Sequence, residues 1–141
     1  MELSAFKYGA NAVSFIKNEK KYGMICAWAM QADYDKILML LGAQSITGKN
    51  ICKGDIIGVS ALNEDQQDIV DALGLNHSDD TDKFINIKYT INDSAILIDG
   101  ASNCMIVEVL DVLHLEGIEE DNLIYGLVKS FTSNDSKKYA L

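Results

Sequence analysis

The run FINIKYTINDSAILIDGASNCMIVEVLDVLH, residues 84–114, decides the fold class. It is dense in β-branched and aromatic residues, and turn formers break it at Asn92-Asp93 and Asp99-Gly100. These breaks predict strands over Phe84–Ile91, Ala95–Ile98 and Cys104–His114, and a further strand, Leu123–Phe131, after the Gly117–Asn122 connection. Working toward the amino terminus, Ala12–Ile16 reads as a strand, Lys17–Lys21 as a polar turn and Tyr22–Met30 as the returning arm of a hairpin. Lys36–Leu41 is short and continuously apolar after its lysine, the pattern of a strand buried on both faces, and Gly42 ends it. Ile56–Leu62 is another strand.

Helical signals are few. Thr47 is a candidate cap for a short helix over 48–53, closed by Gly54. Asn63 and Gln66 have the spacing of a capping box, Ile69, Val70 and Leu73 form an apolar stripe, and Gly74 is the expected stop. Asn76–Asp82 reads as a polar loop, and 133–141 as a tail or a helix packing on a partner. Many short strands with one or two short helices predict a mainly β single domain spanning 1–141, closed into a barrel.

Composition narrows the function classes. The 141-residue chain is 48 % apolar, enough for one core without covalent staples. Its three cysteines (Cys26, Cys52 and Cys104) form no CxxC or CxxH pair, which speaks against a disulfide framework or a structural zinc and suits a reducing, cytoplasmic setting. No segment has the form of a signal peptide, and no apolar run approaches the ~20 residues of a membrane span. The net charge of −9 opposes nonspecific binding to nucleic acid. All 12 basic residues are lysines, so any bound anion must rely on lysine, hydroxyls and backbone N–H groups, never on a guanidinium fork.

The most informative motif is Gly42-Ala43-Gln44-Ser45-Ile46-Thr47-Gly48-Lys49-Asn50, which leaves one strand and enters a short helix. Its hydroxyls, amide, lysine and backbone N–H groups suit a phosphate cradle, against the plainer reading of a cap and a solvated lysine. It is not a P-loop, because five residues separate Gly42 from Gly48 and Asn50 stands where a magnesium-binding hydroxyl is needed. The small residues around Trp28 could wall a flat ring or simply line the core. His77 and His114 lack a nucleophile at recognisable spacing, and the Asp79-Asp80-Thr81-Asp82 cluster lacks the glycine and distal glutamate of a calcium loop. Cys26 and Cys104, flanked by apolar residues, read as inert.

In order and spacing the chain resembles the flavin reductase-like, FMN-binding split-barrel family, which includes flavoredoxins and flavin domains attached to rubredoxins. The resemblance runs from Phe6 to Phe131. It rests on Tyr8-Gly9 before the first strand, Gly23-Met24 through Ala27-Trp28 to Gln31, and Thr47, Ile51, Gly54, Ile57 and Leu62. Glu64, Gln67 and Gly74, the Asp82-Lys83-Phe84 element, and Ala101, Cys104 and Glu108 complete it. It implies a Greek-key split barrel that binds FMN, with FAD the less expected flavin, in a homodimer with the flavin near the subunit interface. It further implies that Ala27, Trp28, Ala29, Met30 and Gln31 line the isoalloxazine, that Gln44, Ser45 and Thr47 hold the ribityl and phosphate, and that Lys83 reaches the phosphate. The implied activity is electron transfer from NAD(P)H or a redox protein through the flavin to an acceptor such as a rubredoxin, with no side chain acting as acid or base. Asp33 stands in place of the family's serine, and Lys36-Ile37 in place of two prolines. Asn122 replaces a histidine tied to nicotinamide access, which keeps open an FMN-holding carrier without nicotinamide activity.

Overall fold

In a computed structural model, residues 3–75 and 82–141 are described. The expected loop up to Thr81, with His77, Asp79 and Asp80, lies outside the described residues. The strands are β1 (Asn11–Lys17), β2 (Lys20–Cys26), β3 (Ala29–Gln31), β4 (Lys36–Leu41), β5 (Ile56–Ala61), β6 (Tyr89–Asn92), β7 (Ala95–Ile98), β8 (Asn103–Leu113) and β9 (Asn122–Ser133). Two helices, α1 (Ile46–Lys49) and α2 (Gln67–Leu75), complete the described elements. The pairings among them are antiparallel, in the order β3-β4-β9-β8-β5-β1-β7-β6, with β2 on β1. The neighbours β4–β9 and β5–β1, distant in sequence, are the Greek-key crossovers.

Alternation along each strand explains the barrel. On β1 the side chains of Val13 and Phe15 enter one core cluster with Ile57 and Val59 of β5, Val107 and Val109 of β8, and Ile37, Met39 and Leu41 of β4. The residues between them face outward and are small where β7 crosses. A Cβ on Gly58 would lie 2.0 Å from the carbonyl oxygen of Ile96. Ser14 Oγ donates to that oxygen at 2.9 Å, and Ser60 Oγ accepts from the Ile98 N–H at 3.0 Å. Gly58, Ser14 and Ser60 thus let the β6–β7 hairpin lie tightly over β1 and β5. Under it a second cluster forms from Ala12, Leu62, Leu73, Phe84, Ile96 and Ile98.

Several expectations are corrected. Lys36–Leu41 is buried on one face only: Ile37, Met39 and Leu41 are buried while Lys36, Leu38 and Leu40 are half-buried, because a barrel has one interior. The predicted Tyr22–Met30 strand breaks after Cys26, and β3 then leaves β1 to pair with β4. Ser45, not Thr47, caps the first helix: its Oγ accepts from the Gly48 N–H at 2.9 Å, and the helix ends at Asn50 rather than running to residue 53. The second helix begins at Gln67, since the Ile69 and Val70 N–H groups both find the Gln66 carbonyl. Half of the capping box is present, with Gln66 Oε1 accepting from the Asn63 N–H at 2.9 Å. Gly74 lies inside the helix, where it faces Ile25.

The predicted Phe84–Ile91 strand begins only at Tyr89. Residues 83–86 turn, held by Asp82 Oδ1 on the Phe84 N–H at 2.9 Å, so that Phe84 packs over the bare Cα of Gly23, where a Cβ would sit 2.5 Å from its ring. The carboxyl end is neither a tail nor a helix. It straps back across its own chain, with the Tyr139 N–H on the Leu62 carbonyl at 2.9 Å and the Leu141 N–H on that of Tyr8 at 2.8 Å. Among the described residues no helix is long and apolar enough to cross a membrane.

Candidate functional site

The barrel is split between β2 and β4, and the candidate site is built at that split. β2 pairs with β1 along its length, whereas β4 pairs with β9 and β3. The gap is bridged by single contacts: the Leu40 N–H donates to the Trp28 carbonyl at 2.9 Å, and Cys26 Sγ lies 3.7 Å from the Leu40 carbonyl. The loop after β4 and the first turn of α1 fill the rest. Ser45 Oγ is 3.0 Å from Met24 Sδ, and Gly48 sits where a Cβ would press on Leu41 at 3.1 Å. Burial raises the Cys26 thiol to about 11 and pushes Cys104 upward as well, so both stay protonated and unreactive near neutral pH.

Two surfaces meet here. The first is β3 and the residues before it. Ala27 is half-buried, and Trp28, Ala29, Met30 and Gln31 are exposed, Trp28 to 58 % and Met30 to 60 %. β3 stands at the end of the strand order with its ladder to β4 on one side, so it offers backbone groups on the other. The following loop is a tight hairpin: the Ala32 N–H donates to the Lys36 carbonyl at 2.9 Å, and Tyr34 N–H to Asp33 Oδ1 at 2.8 Å. Lys36 and Ile37 enter the β4 ladder directly, which prolines could not do on both edges. Asp33 therefore shapes the turn.

The second surface is the loop 42–48. The Ser45 N–H donates to the Gly42 carbonyl at 3.0 Å, closing a turn. Gln44 is exposed and Ser45 half-buried, its hydroxyl oxygen accepting from Gly48 N–H while its proton faces the Met24 thioether, a weak acceptor. Thr47 is buried at 2 % exposure and belongs to the packing of the loop. Sequence reasoning marked Asn122 only as the replacement of a histidine, and did not find that Asp121 and Asn122 bind this loop from the β8–β9 turn. Asp121 Oδ1 accepts from the Ala43 N–H at 2.8 Å, and Asn122 Nδ2 donates to the Gly48 carbonyl at 3.0 Å.

Lys83 is not in this group. Its Nζ donates to the carbonyls of Gly23 at 2.8 Å and Leu73 at 2.9 Å, tying β2 to the last turn of α2. Gly23 and Ile25 face the outer cluster with α2 and Phe84, whereas Met24, which touches Ser45, faces the barrel interior. Burial holds the Lys83 ammonium below its usual range. Two further features lie away from the split. A groove of about 360 Å³ runs between β7 and the end of β9, lined by Thr90, Asp99, Cys104, Thr132 and Asn134 among others. Among the described residues no group of His, Cys, Asp and Glu is arranged to hold a metal ion.

The fold is that of the flavin reductase-like, FMN-binding split barrels. Three solved structures illustrate it. The NADH:FAD oxidoreductase SgcE6 of Streptomyces globisporus superposes with a TM-score of 0.83 at 16 % identity, over 96 % of this chain and 80 % of that one. An FMN-binding protein from Thermus thermophilus, with bound 1-cyclohex-2-enone, gives 0.80 at 19 % identity over 93 % and 73 %. The styrene monooxygenase flavin reductase of Pseudomonas putida S12 gives 0.80 at 18 % identity over 96 % and 86 %. No protein-family model matches the sequence, and no curated protein matches it.

Proposed function

We propose that this chain binds a flavin at the split between β2 and β4 and works as a flavin reductase-type oxidoreductase. The observation that carries this reading is the open strand from Trp28 to Gln31, set beside the loop 42–48, in a fold shared with flavin reductases and FMN-binding proteins. The residues present fit the group. The free edge of β3 supplies N–H and C=O groups for the polar rim of an isoalloxazine, and Trp28 and Met30 supply flat or pliable apolar contact. Gln44 and Ser45, with backbone N–H groups of the loop, serve a ribityl chain and one phosphate. Thr47 packs the loop and Lys83 clamps β2, so neither is part of the proposed contact surface. FMN is the flavin that best matches this single short loop.

When bound, the flavin supplies the electron-carrying ring, and the protein supplies position and polarity around it. Ala27–Gln31 orient the ring, and the Ser45 hydroxyl and Gln44 amide hold its side chain. NADH or NADPH is the proposed donor, as the name of the Streptomyces neighbour indicates for that protein. Half-exposed Leu38, Leu40, Leu123 and Tyr125 continue the apolar surface from Met30 outward, consistent with a homodimer whose partner covers the flavin. A redox protein of the rubredoxin kind is a suitable acceptor for so small a site.

The test is a titration of purified protein with FMN, followed by visible absorbance and flavin fluorescence, and then addition of each nicotinamide. Binding with steady nicotinamide oxidation supports the reading. Protein that takes up no flavin ends it, and binding without nicotinamide oxidation reduces it to a flavin carrier.

A further inference from the structure

The loop that follows β4 owes its shape to a turn 78 residues away in sequence. The β4–β9 register places Leu41 opposite Asn122, which brings Asp121 beside Gly42 and Ala43. Asp121 Oδ1 then accepts from the Ala43 N–H at 2.8 Å, and Asn122 Nδ2 donates to the Gly48 carbonyl at 3.0 Å. Two consecutive side chains thus grip the loop at both ends, with the Ser45–Gly42 hydrogen bond closing the turn between them.

The grip has an electrostatic side. Asp121 fills one of the loop's N–H groups and sets a carboxylate within one turn of Ser45, a distance of the order of the ~8 Å screening length at physiological salt. The acids Glu116, Glu119 and Glu120 lie exposed in the same β8–β9 turn, and the Nδ1 of His114 faces the carbonyls of Glu119 and Asp121 at 3.0 and 3.3 Å. Opposing them near the loop are exposed Lys49 and half-buried Lys17, the latter donating to the Asn50 carbonyl at 2.8 Å and paired with Asp55 at 2.9 Å; the chain has no arginine, and Lys83 is engaged elsewhere.

We propose that Asp121 and Asn122 are positioning residues for the flavin loop, and that Asp121 also sets its selectivity, holding the loop in shape while lowering its preference for a phosphorylated flavin over an unphosphorylated one. This rests on the flavin reading above. Asn122, at the position where the resembled family carries a histidine, is spent on supporting the loop.

The experiment compares dissociation constants for FMN and riboflavin, measured by fluorescence quenching at low and high salt. The proteins are wild type, Asp121→Asn, Asn122→Ala and, as a charge control, Glu120→Gln, with thermal melts confirming that each is folded. Asp121→Asn keeps an acceptor oxygen for Ala43 but removes the charge. It should tighten FMN by about three-fold or more and leave riboflavin within two-fold, with the gain shrinking at high salt. Asn122→Ala should weaken FMN several-fold and riboflavin less. Glu120→Gln should leave the FMN-to-riboflavin ratio unchanged. An unchanged ratio in Asp121→Asn, or an equal change in Glu120→Gln, overturns the selectivity role. Unchanged FMN affinity in Asn122→Ala overturns the positioning role. Wild type that binds neither flavin overturns the flavin reading itself, a result distinct from the other two.

Discussion

Replacing Lys83 by methionine separates a structural clamp from a phosphate ligand. Methionine keeps the apolar stem and removes the ammonium, which leaves the Gly23 and Leu73 carbonyls without their donor. A hydrogen bond from a charged donor contributes roughly 1.5–3 kcal/mol, and a cation at a helix carboxyl end adds some tenths more. The half-buried site admits water, and the lost ammonium no longer bears a desolvation cost, so a net loss of about 3 kcal/mol is expected. Unfolding entropy runs at about 2.1 cal/mol/K per residue, which gives a chain of this length about 0.3 kcal/mol/K and a fall in melting midpoint of about 10 °C. The effect has a defined pH dependence. Burial lowers the folded-state pKa of Lys83, so above that value the unfolded chain holds more protons than the folded one, and stability contributed by this group rises with pH toward the usual lysine value of 10.5. The advantage of wild type over Lys83→Met should therefore widen as pH climbs through that window. Differential scanning calorimetry across alkaline pH and an FMN titration at neutral pH are the assays. A variant that melts within 2 °C of wild type but binds FMN ten-fold more weakly would refute the clamp and restore Lys83 to the phosphate.

Other substitutions probe different parts of the fold. Gly58→Ala drives a methyl into the Ile96 carbonyl across a backbone that cannot swing aside, and should cost more than about 3 kcal/mol, read as a collapse in melting midpoint or soluble yield. Ser45→Ala removes the cap of α1, worth about 1 kcal/mol, so thermal stability should fall by only about 3 °C while FMN affinity drops at least ten-fold. Trp28→Ala trims a side chain that is 58 % exposed, and should leave the melting midpoint nearly unchanged but weaken FMN and riboflavin alike. Equal loss of both flavins in Ser45→Ala would move the phosphate away from this loop.

The strands were legible where local pattern and tertiary role agree. Asn92-Asp93 does turn a hairpin, with Asp93 at φ 57, a left-handed conformation that aspartate tolerates better than most residues. Pattern failed where a distant contact decides. Phe84-Ile85-Asn86-Ile87 has strand composition, yet Gly23 leaves a vacancy on the outer face of β2 that the Phe84 ring fills only if residues 83–86 turn. Lys36–Leu41 carries no polar alternation, so its single buried face could not be read before its neighbours were known. In both cases the deciding partner lies far off in the sequence.

The candidate site divides along the same line. Ala27 to Gln31 and Gln44-Ser45 drew notice because small residues around an aromatic, and a hydroxyl after a strand-ending glycine, have local meanings, and they are the residues proposed to meet the flavin. Thr47 and Lys83 shared that local promise, but Thr47 is buried in the packing of the loop and the Lys83 ammonium is engaged by the Gly23 and Leu73 carbonyls. Gly23, whose carbonyl holds Lys83, and Met24, whose sulfur meets Ser45, are adjacent on β2. The Gly23 carbonyl lies in the plane of the sheet, and it is the second partner of Lys83, the Leu73 carbonyl, that draws its ammonium to the last turn of α2. Asn122 was marked only as the replacement of a histidine, and the contacts of Asp121 and Asn122 with the loop had no local signal, because they exist only through the β4–β9 register that sets these residues beside it. On the reading proposed above, the selectivity of the site is governed from a turn of acidic residues that composition alone would assign to solvent.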